Sequence, residues 1–286
     1  MNYILYNPKS KNGQNEEVIK NVVKEYEEKG ETYEKVSVLE ITDYENFFSN
    51  VKENDEIVLL GGDGTLNHFV NDVKDININC KLYFYSCGTG NDFFNDVKKS
   101  DDERKVMIND YIKNLPTVIV NGVEKLFIDG IGFGIDGYCC EEGDRLQAKS
   151  TKPVNYTSIA IKGLLFHYKA PNAKVTVDGV TKEYKRVWLA PTMKGRFYGG
   201  GMMIAPHQNR NDSCGCVTNV VLHKAGKLKT LMVFPSIFKG EHIKHTEMCD
   251  IRTGHEITVE FDRPTALQID GETITNVTTY TVKAKR

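Results

Sequence analysis

The first third of the chain alternates two hydrophobic periods. Residues 3–6 form a short apolar run, and after a polar loop Val18, Ile19, Val22, Val23 and Tyr26 recur at helical spacing until Gly30. Residues 33–39 read as a second strand, and Thr42 with Glu45 makes a capping-box pattern ahead of Phe47, Phe48 and Val51. Residues 57–60 are apolar without a break, as in a strand covered on both faces, and Leu66, Phe69, Val70 and Val73 mark the helix after it. Residues 82–85 form another strand. Ser100 and Glu103 predict the cap of a further helix ending before Pro116. This alternation predicts an open α/β unit with a mostly parallel sheet.

Past residue 120 the texture changes. Residues 175–177, the pair Asp178-Gly179 and residues 187–190 predict a hairpin, and strand-like runs follow at 217–222, 257–261, 267–269 and 280–282. Helical stretches interrupt them at 156–168 and 228–238, the second kinked at Pro235. The expected organisation is an α/β domain over 1–120 and an antiparallel β-rich domain over 121–275. The last strand, about 276–286, is expected to return to the first domain.

With 286 residues the chain is long enough for two ordinary domains, and 40% hydrophobic with 27% charged residues is a globular balance. A formal net charge of -2 gives no global field for nucleic acid, which is not expected as a partner. The longest apolar stretch, 159–166, is broken by Lys162 and is too short to span a bilayer, so any membrane contact is expected to be peripheral and transient. Seven cysteines include the adjacent pair Cys139-Cys140 and Cys214-x-Cys216, one residue short of a C-x-x-C spacing. With no signal peptide at Met1, reduced thiols in the cytoplasm are the expectation.

The sharpest chemical signal is Gly61-Gly62-Asp63-Gly64-Thr65, where an apolar strand meets a helix. Glycines let the backbone approach an anion closely, and the helix start adds partial positive charge. Asp63 there would repel phosphate unless a metal offsets it, which suggests a magnesium-nucleotide. No G-x-x-x-x-G-K-[ST] segment is present. Gly132-Phe133-Gly134-Ile135-Asp136-Gly137 fits G-x-G-x-x-G, but the helix and the later acid that a dinucleotide site requires are not expected after it. A second loop, Cys87-Gly88-Thr89-Gly90-Asn91-Asp92, also follows a strand, and two such loops on neighbouring parallel strands would face one crevice.

Together with Asn7-Pro8-Lys9-Ser10, these loops resemble the diacylglycerol kinase catalytic family, which includes sphingosine and ceramide kinases and bacterial lipid kinases. Gly199-Gly200-Gly201-Met202-Met203-Ile204-Ala205-Pro206, Lys239-Gly240-Glu241-His242-Ile243-Lys244-His245 and Gln268-Ile269-Asp270-Gly271-Glu272 continue the resemblance in order. It implies ATP with Mg2+ as donor and a lipid hydroxyl at the membrane surface as acceptor, diacylglycerol or a similar long-chain alcohol. It also implies nucleotide contacts from Asn7, Pro8, Lys9, Ser10, Lys11, Gly61, Gly62, Asp63, Gly64, Thr65, Leu66, Asn67, His68 and Thr89. Asp63 and Asp92 are expected to serve catalysis, and Glu272 matches the family's general base. A structural magnesium in bacterial members maps to Asn209, Asp212 and Cys214, in a turn that departs from the usual acidic one.

A second departure lies at residues 117–120, where many members carry an aspartate; Asp129 and Asp136 are its candidate replacements. Phosphoryl transfer accounts for the same inventory on physical grounds, since phosphates must be held, their charge offset and an acceptor oxygen aligned. The rival readings are an NAD kinase and a catalytically silent lipid or nucleotide sensor. Oligomeric state is not legible, and a homodimer stays open. His242 and His245 are expected to pack rather than bind metal, and Lys194, Arg196, Lys239 and Lys244 are candidate headgroup contacts.

Overall fold

Ile57, Val58, Leu59 and Leu60 are wholly buried, and the strand they form lies in the middle of a five-stranded sheet. In this computed structural model, which describes residues 1–8, 16–88, 90–149 and 154–285, the chain divides into two compact units, Met1–Lys113 and Asn114–Arg286.

In the first unit β1 (Asn2–Tyr6) pairs in parallel with β2 (Tyr33–Ser37) and with β3 (Glu56–Gly61). Next to β3 runs β4 (Lys81–Ser86), also parallel, and β5 (Lys105–Met107) closes the edge antiparallel. The order β2-β1-β3-β4-β5 is the mostly parallel sheet expected. α1 (Glu16–Glu28) lays Val22 and Tyr26, four apart on one face, against Ile4, Val58 and Leu60. α2 (Tyr44–Ser49) is capped by Asp43, whose carboxylate accepts the Asn46 N–H at 2.9 Å, so the cap falls one residue after Thr42. α3 (Asp63–Asp72) follows β3 after a single residue, and α4 (Asp92–Val97) follows β4.

The helix expected between Ser100 and Pro116 does not form. Glu103 folds back to accept the Lys99 N–H at 2.7 Å, and β5 with the single turn α5 (Asn109–Ile112) occupies the segment. Val106 and Ile108 are both buried, two apart, which is strand spacing.

The second unit is one antiparallel sheet. Its strands are β6 (Thr117–Val120), β7 (Val123–Leu126), β8 (Gly130–Phe133), β9 (Ala173–Val177), β10 (Val180–Tyr184), β11 (Thr192–Met193), β12 (Val217–Leu222), β13 (Cys249–Gly254), β14 (Glu256–Ile269) and β15 (Glu272–Lys283). The path runs β13-β12-β11-β8-β14-β15-β6-β7, and β9 pairs with both β10 and β14. The strand expected to return to the first domain, β15, instead pairs with β14 and β6 in this sheet. Val118 and Val120 are buried there beside Tyr280 and Val282, so β6 belongs to the second core.

Asp178 and Gly179 have φ of +46° and +81°, the left-handed pair of a tight hairpin turn. The strand they lead into is β10 rather than 187–190. In β10 the two apolar residues, Val180 and Tyr184, sit at the ends and Val180 is exposed, so it carries little apolar signal, whereas Val187 to Ala190 are all buried. The helices are α6 (Ile135–Gln147), α7 (Tyr156–Lys162) running into a π-turn at Gly163–His167, and α8 (Lys227–Val233) running into a 3-10 turn at Phe234–Lys239 that contains Pro235. Among the described residues no helix is long and apolar enough to cross a membrane.

Candidate functional site

In the first unit the two glycine loops meet backbone to backbone. A Cβ on Gly62 would lie 2.9 Å from the Gly88 Cα, and one on Gly88 would lie 2.6 Å from the Gly62 Cα. Asp63 locks the contact: its Oδ2 accepts the Asp92 N–H at 2.9 Å and its Oδ1 accepts the Phe93 N–H at 3.2 Å. Asp63, expected to serve catalysis, joins the two loops through both oxygens of its carboxylate. Gly61 is required because the Thr65 side chain stands 2.4 Å from where its Cβ would be. Asn7 Nδ2 donates to Thr65 Oγ1 at 3.4 Å, which brings the first strand's end to the same place.

Gly64 is different. It sits in the first turn of α3, and a Cβ there would meet nothing within 4 Å. Asn91 Oδ1, at the start of α4, is buried with no hydrogen-bond partner among the described residues. Other expected contacts divide. His68 is exposed, Asn67 is buried with its backbone and side-chain oxygens turned to Asn71, and Leu66 is wholly buried, so only its backbone can meet a ligand. Asp92 is buried. Lys9, Ser10, Lys11 and Thr89 lie outside the described residues.

In the second unit Asp270 and Gly271 turn β14 into β15 with φ of +46° and +93°. The Asp270 carboxylate accepts the N–H groups of Ile128, Asp129 and Gly130 at 2.6, 3.0 and 2.9 Å. The hairpin end is therefore pinned to the segment before β8. Glu272, the next residue but one, opens β15 half-exposed, with Lys125 Nζ 3.2 Å from its Oε2. Asp129 is buried and ion-paired with Arg210, which also donates to the Ile128 carbonyl. Sequence reasoning did not single out Lys125 or Arg210, and nothing local marks them; their partners Glu272 and Asp129 lie 147 and 81 residues away in the chain.

Contrary to expectation a helix does form here: α6 begins at Ile135 within the Gly132 to Gly137 segment, with Asp136 in its first turn. No βαβ unit results, because β8 lies between the antiparallel neighbours β11 and β14. The Asp136 carboxyl is buried, and burial pushes it up to about 6 against the Gly137 N–H that its Oδ1 accepts. Its Oδ2 has no partner at hydrogen-bond distance among the described residues, although the Tyr198 hydroxyl is near enough to hold the carboxyl down somewhat.

His242 is wholly buried with Nε2 on the Ile204 carbonyl at 2.9 Å, and burial holds its imidazole below the ordinary range. Lys194 is buried too, which removes it from headgroup contact. The turn expected to hold magnesium spends its oxygens on itself. Asn209 Oδ1 accepts the Asn211 N–H at 3.0 Å, the Asn209 carbonyl accepts the Asp212 N–H at 3.2 Å, and Asp212 Oδ1 accepts the Cys214 N–H at 3.2 Å. Contrary to the expectation of reduced thiols, Cys214 is bonded to Cys216, with Cα atoms 5.2 Å apart, inside the range a disulfide spans; Cys80, Cys87, Cys139, Cys140 and Cys249 are free.

Known proteins resemble the whole length of this arrangement. The family described as diacylglycerol kinase catalytic domain matches residues 2–119, and the YegS C-terminal NAD kinase beta sandwich-like domain matches residues 130–284. A diacylglycerol kinase of Mycobacterium tuberculosis is 24% identical over 220 residues, which cover 74% of this chain and 68% of its own length. The diacylglycerol kinase of Bacillus subtilis is 25% identical over 231 residues, covering 78% and 72%. A crystal structure from Bacillus anthracis, solved as a candidate diacylglycerol kinase, has a TM-score of 0.70 at 18% identity and covers 100% of this chain and 92% of that one, a likeness of fold. The YegS C-terminal domain matches more than half of the chain, and with the diacylglycerol kinase catalytic domain matched before it the chain belongs to the family that carries these two domains.

Proposed function

We propose that the protein transfers the γ-phosphoryl group of ATP to the hydroxyl of a lipid, diacylglycerol or a similar long-chain alcohol. The observation that carries this reading is the open space at Gly64. Packing accounts for Gly61, Gly62 and Gly88, whereas Gly64 has no neighbour to avoid. It lies on the first turn of a ten-residue helix, where amides lack partners inside the helix and phosphates are favoured. Asn91 Oδ1, buried and without a hydrogen-bond partner among the described residues, is an acceptor for a donor group of the nucleotide. Bound magnesium would supply the positive charge that phosphoryl transfer needs.

The chain's own residues do the rest. Asp63 is a positioning residue that holds one loop on the other. Glu272 takes the proton of the acceptor hydroxyl as the new P–O bond forms, and Lys125 steadies its side chain.

The acceptor side of the reading rests on a surface of the second unit. Leu228 and Met232, four apart on α8, and Phe166 in the π-turn are each more than 70% exposed. Lys227 Nζ reaches the Leu165 carbonyl at 2.7 Å, which joins the two elements, and Lys162, at the end of α7, and Lys239, at the end of the 3-10 turn after α8, are exposed. An apolar strip framed by lysines suits the face of an anionic bilayer.

The test is an acceptor screen with purified protein, Mg-ATP and a panel of diacylglycerol, sphingosine, ceramide, phosphatidylglycerol and NAD, read by product mass. Phosphorylated diacylglycerol or a related lipid supports the reading. Phosphorylated NAD, or no product from any acceptor, overturns it.

A further inference from the structure

We propose that Cys214, Cys216 and His255, when the thiols are reduced, hold a divalent transition-metal ion, zinc by preference. The two sulfurs and one imidazole nitrogen all lie within 4.8 Å of one another. His255 Nε2 is 3.8 Å from Cys214 Sγ and 3.7 Å from Cys216 Sγ. A tetrahedral zinc with the usual Zn–S and Zn–N bond lengths sets a sulfur–nitrogen edge of roughly 3.6 Å. Both such edges are therefore already near their length, and only the sulfur–sulfur edge has to open.

The imidazole has no other task. Its Nδ1 is buried without a hydrogen-bond partner among the described residues, so the sulfurs are its polar company. Its backbone is fixed, since His255 N–H donates to Asp178 Oδ1 at 2.9 Å. Strand register delivers the three donors. Val217 of β12 faces Gly254 of β13, so the residue before one strand and the residue after the other meet at one end of the pair. Thiolate and imidazole together select zinc and its softer neighbours over magnesium or calcium. Three protein donors leave a fourth position for solvent.

A thiol reductant opens the Cys214–Cys216 bond by exchange and itself becomes the disulfide, leaving two thiols. The metal then binds the two thiolates and the neutral imidazole, and both thiol protons are released. Bound metal would clip the turn that carries Arg210 to the end of β13, a structural role rather than a step in catalysis.

The experiment uses the full chain, kept reduced and oxygen-free, and measures zinc by mass spectrometry and cobalt substitution by visible absorption. One metal per chain, with a sulfur-to-cobalt charge-transfer band, is the expected result. Both should be lost in Cys214→Ser and in His255→Ala and kept in Cys249→Ser. Circular dichroism on each variant guards against misfolding, and the wild-type cobalt spectrum stands without any variant. Folded, reduced wild-type protein that takes up neither metal overturns the proposal. So does a thiolate–cobalt band that survives in Cys214→Ser, or a Cys214–Cys216 bond that withstands the reductant. None of these readouts depends on kinase activity.

Discussion

Asp63 reaches across 29 residues to accept the Asp92 N–H, and its second oxygen takes the Phe93 N–H. One carboxylate thus fixes the spacing of both glycine loops. Asp63→Asn keeps one good acceptor but removes the charge and one of the two acceptor oxygens. Hydrogen bonds to a charged group are worth roughly 1.5–3 kcal/mol, so the variant should lose stability on that scale. Turnover should fall with it, because the loops lose their register. Urea unfolding and a steady-state assay on one preparation check this; an Asp63→Asn protein as stable as wild type would return the carboxylate to a direct role at the metal.

Glycine positions separate packing from binding. Gly62→Ala places a methyl 2.9 Å from the Gly88 Cα and should cost about 1–3 kcal/mol as an overpacking change. Gly64→Ala meets nothing within 4 Å, and alanine is the better helix former. It should leave the unfolding midpoint level or slightly raised while weakening ATP binding at least about tenfold, as measured by calorimetry. Unchanged ATP affinity in Gly64→Ala would remove the open space at α3 from the nucleotide site.

The loops were legible because their signals are local: an uninterrupted apolar strand, glycines, then helical periodicity. The β14–β15 turn was legible for the same reason, since Asp-Gly marks a tight hairpin by itself. What was not legible depends on pairing. The cap pattern at Ser100 and Glu103 has the right spacing, yet only the pairing of β4 with β5 decides that the segment is a strand. β10 is mostly exposed, with three polar residues between Val180 and Tyr184, and so leaves no apolar run. His255 lies 39 residues from Cys216, and nothing connects them before Val217 is set opposite Gly254.

Asp136 gives a prediction in pH. Its folded-state carboxyl lies near 6, above the usual 3.8, because burial disfavours the charge. Between those values the folded state keeps a proton that the unfolded chain releases, so stability falls as pH rises from about 4 to about 6. A difference of that size corresponds to roughly 3 kcal/mol, fully imposed above pH 6. Asp136→Asn cannot ionise and should flatten this part of the profile, becoming the more stable protein at pH 8. Parallel slopes for both proteins between pH 4 and 6 would mean Asp136 does not titrate in that window. Tyr198, Cys139 and Cys140 face the same carboxyl, and burial pushes each of them up, so they stay neutral across it.

The exposed strip on α8 and the π-turn predicts how lipid is met. Phe166→Ser combined with Met232→Ser should reduce sedimentation with anionic vesicles several-fold and leave the melting temperature within error, since both side chains are exposed. Binding should weaken with salt as the lysines require. Vesicle binding that is the same in the double variant would place membrane contact elsewhere.

Asp270 and Glu272 are two residues apart in one hairpin and should respond in opposite ways. The Asp270 carboxylate carries three backbone amides, so Asp270→Asn should cost more than about 2 kcal/mol even though asparagine accepts the positive φ well. Glu272 makes a half-exposed pair with Lys125, and such pairs contribute about 0–1 kcal/mol. Glu272→Gln keeps its size and a contact to Lys125 but cannot take a proton. If it is the base, turnover should fall on the order of 100- to 10,000-fold while ATP affinity and the unfolding midpoint hold. Lys125→Met is the control that removes the partner and spares the carboxylate; it should lower turnover far less than Glu272→Gln. Calorimetry for ATP, product mass for turnover and urea unfolding for stability separate the three variants. A Glu272→Gln protein that keeps most of its activity would leave Glu272 as a surface ion pair and move the search for a base to Asp92 and Asp136.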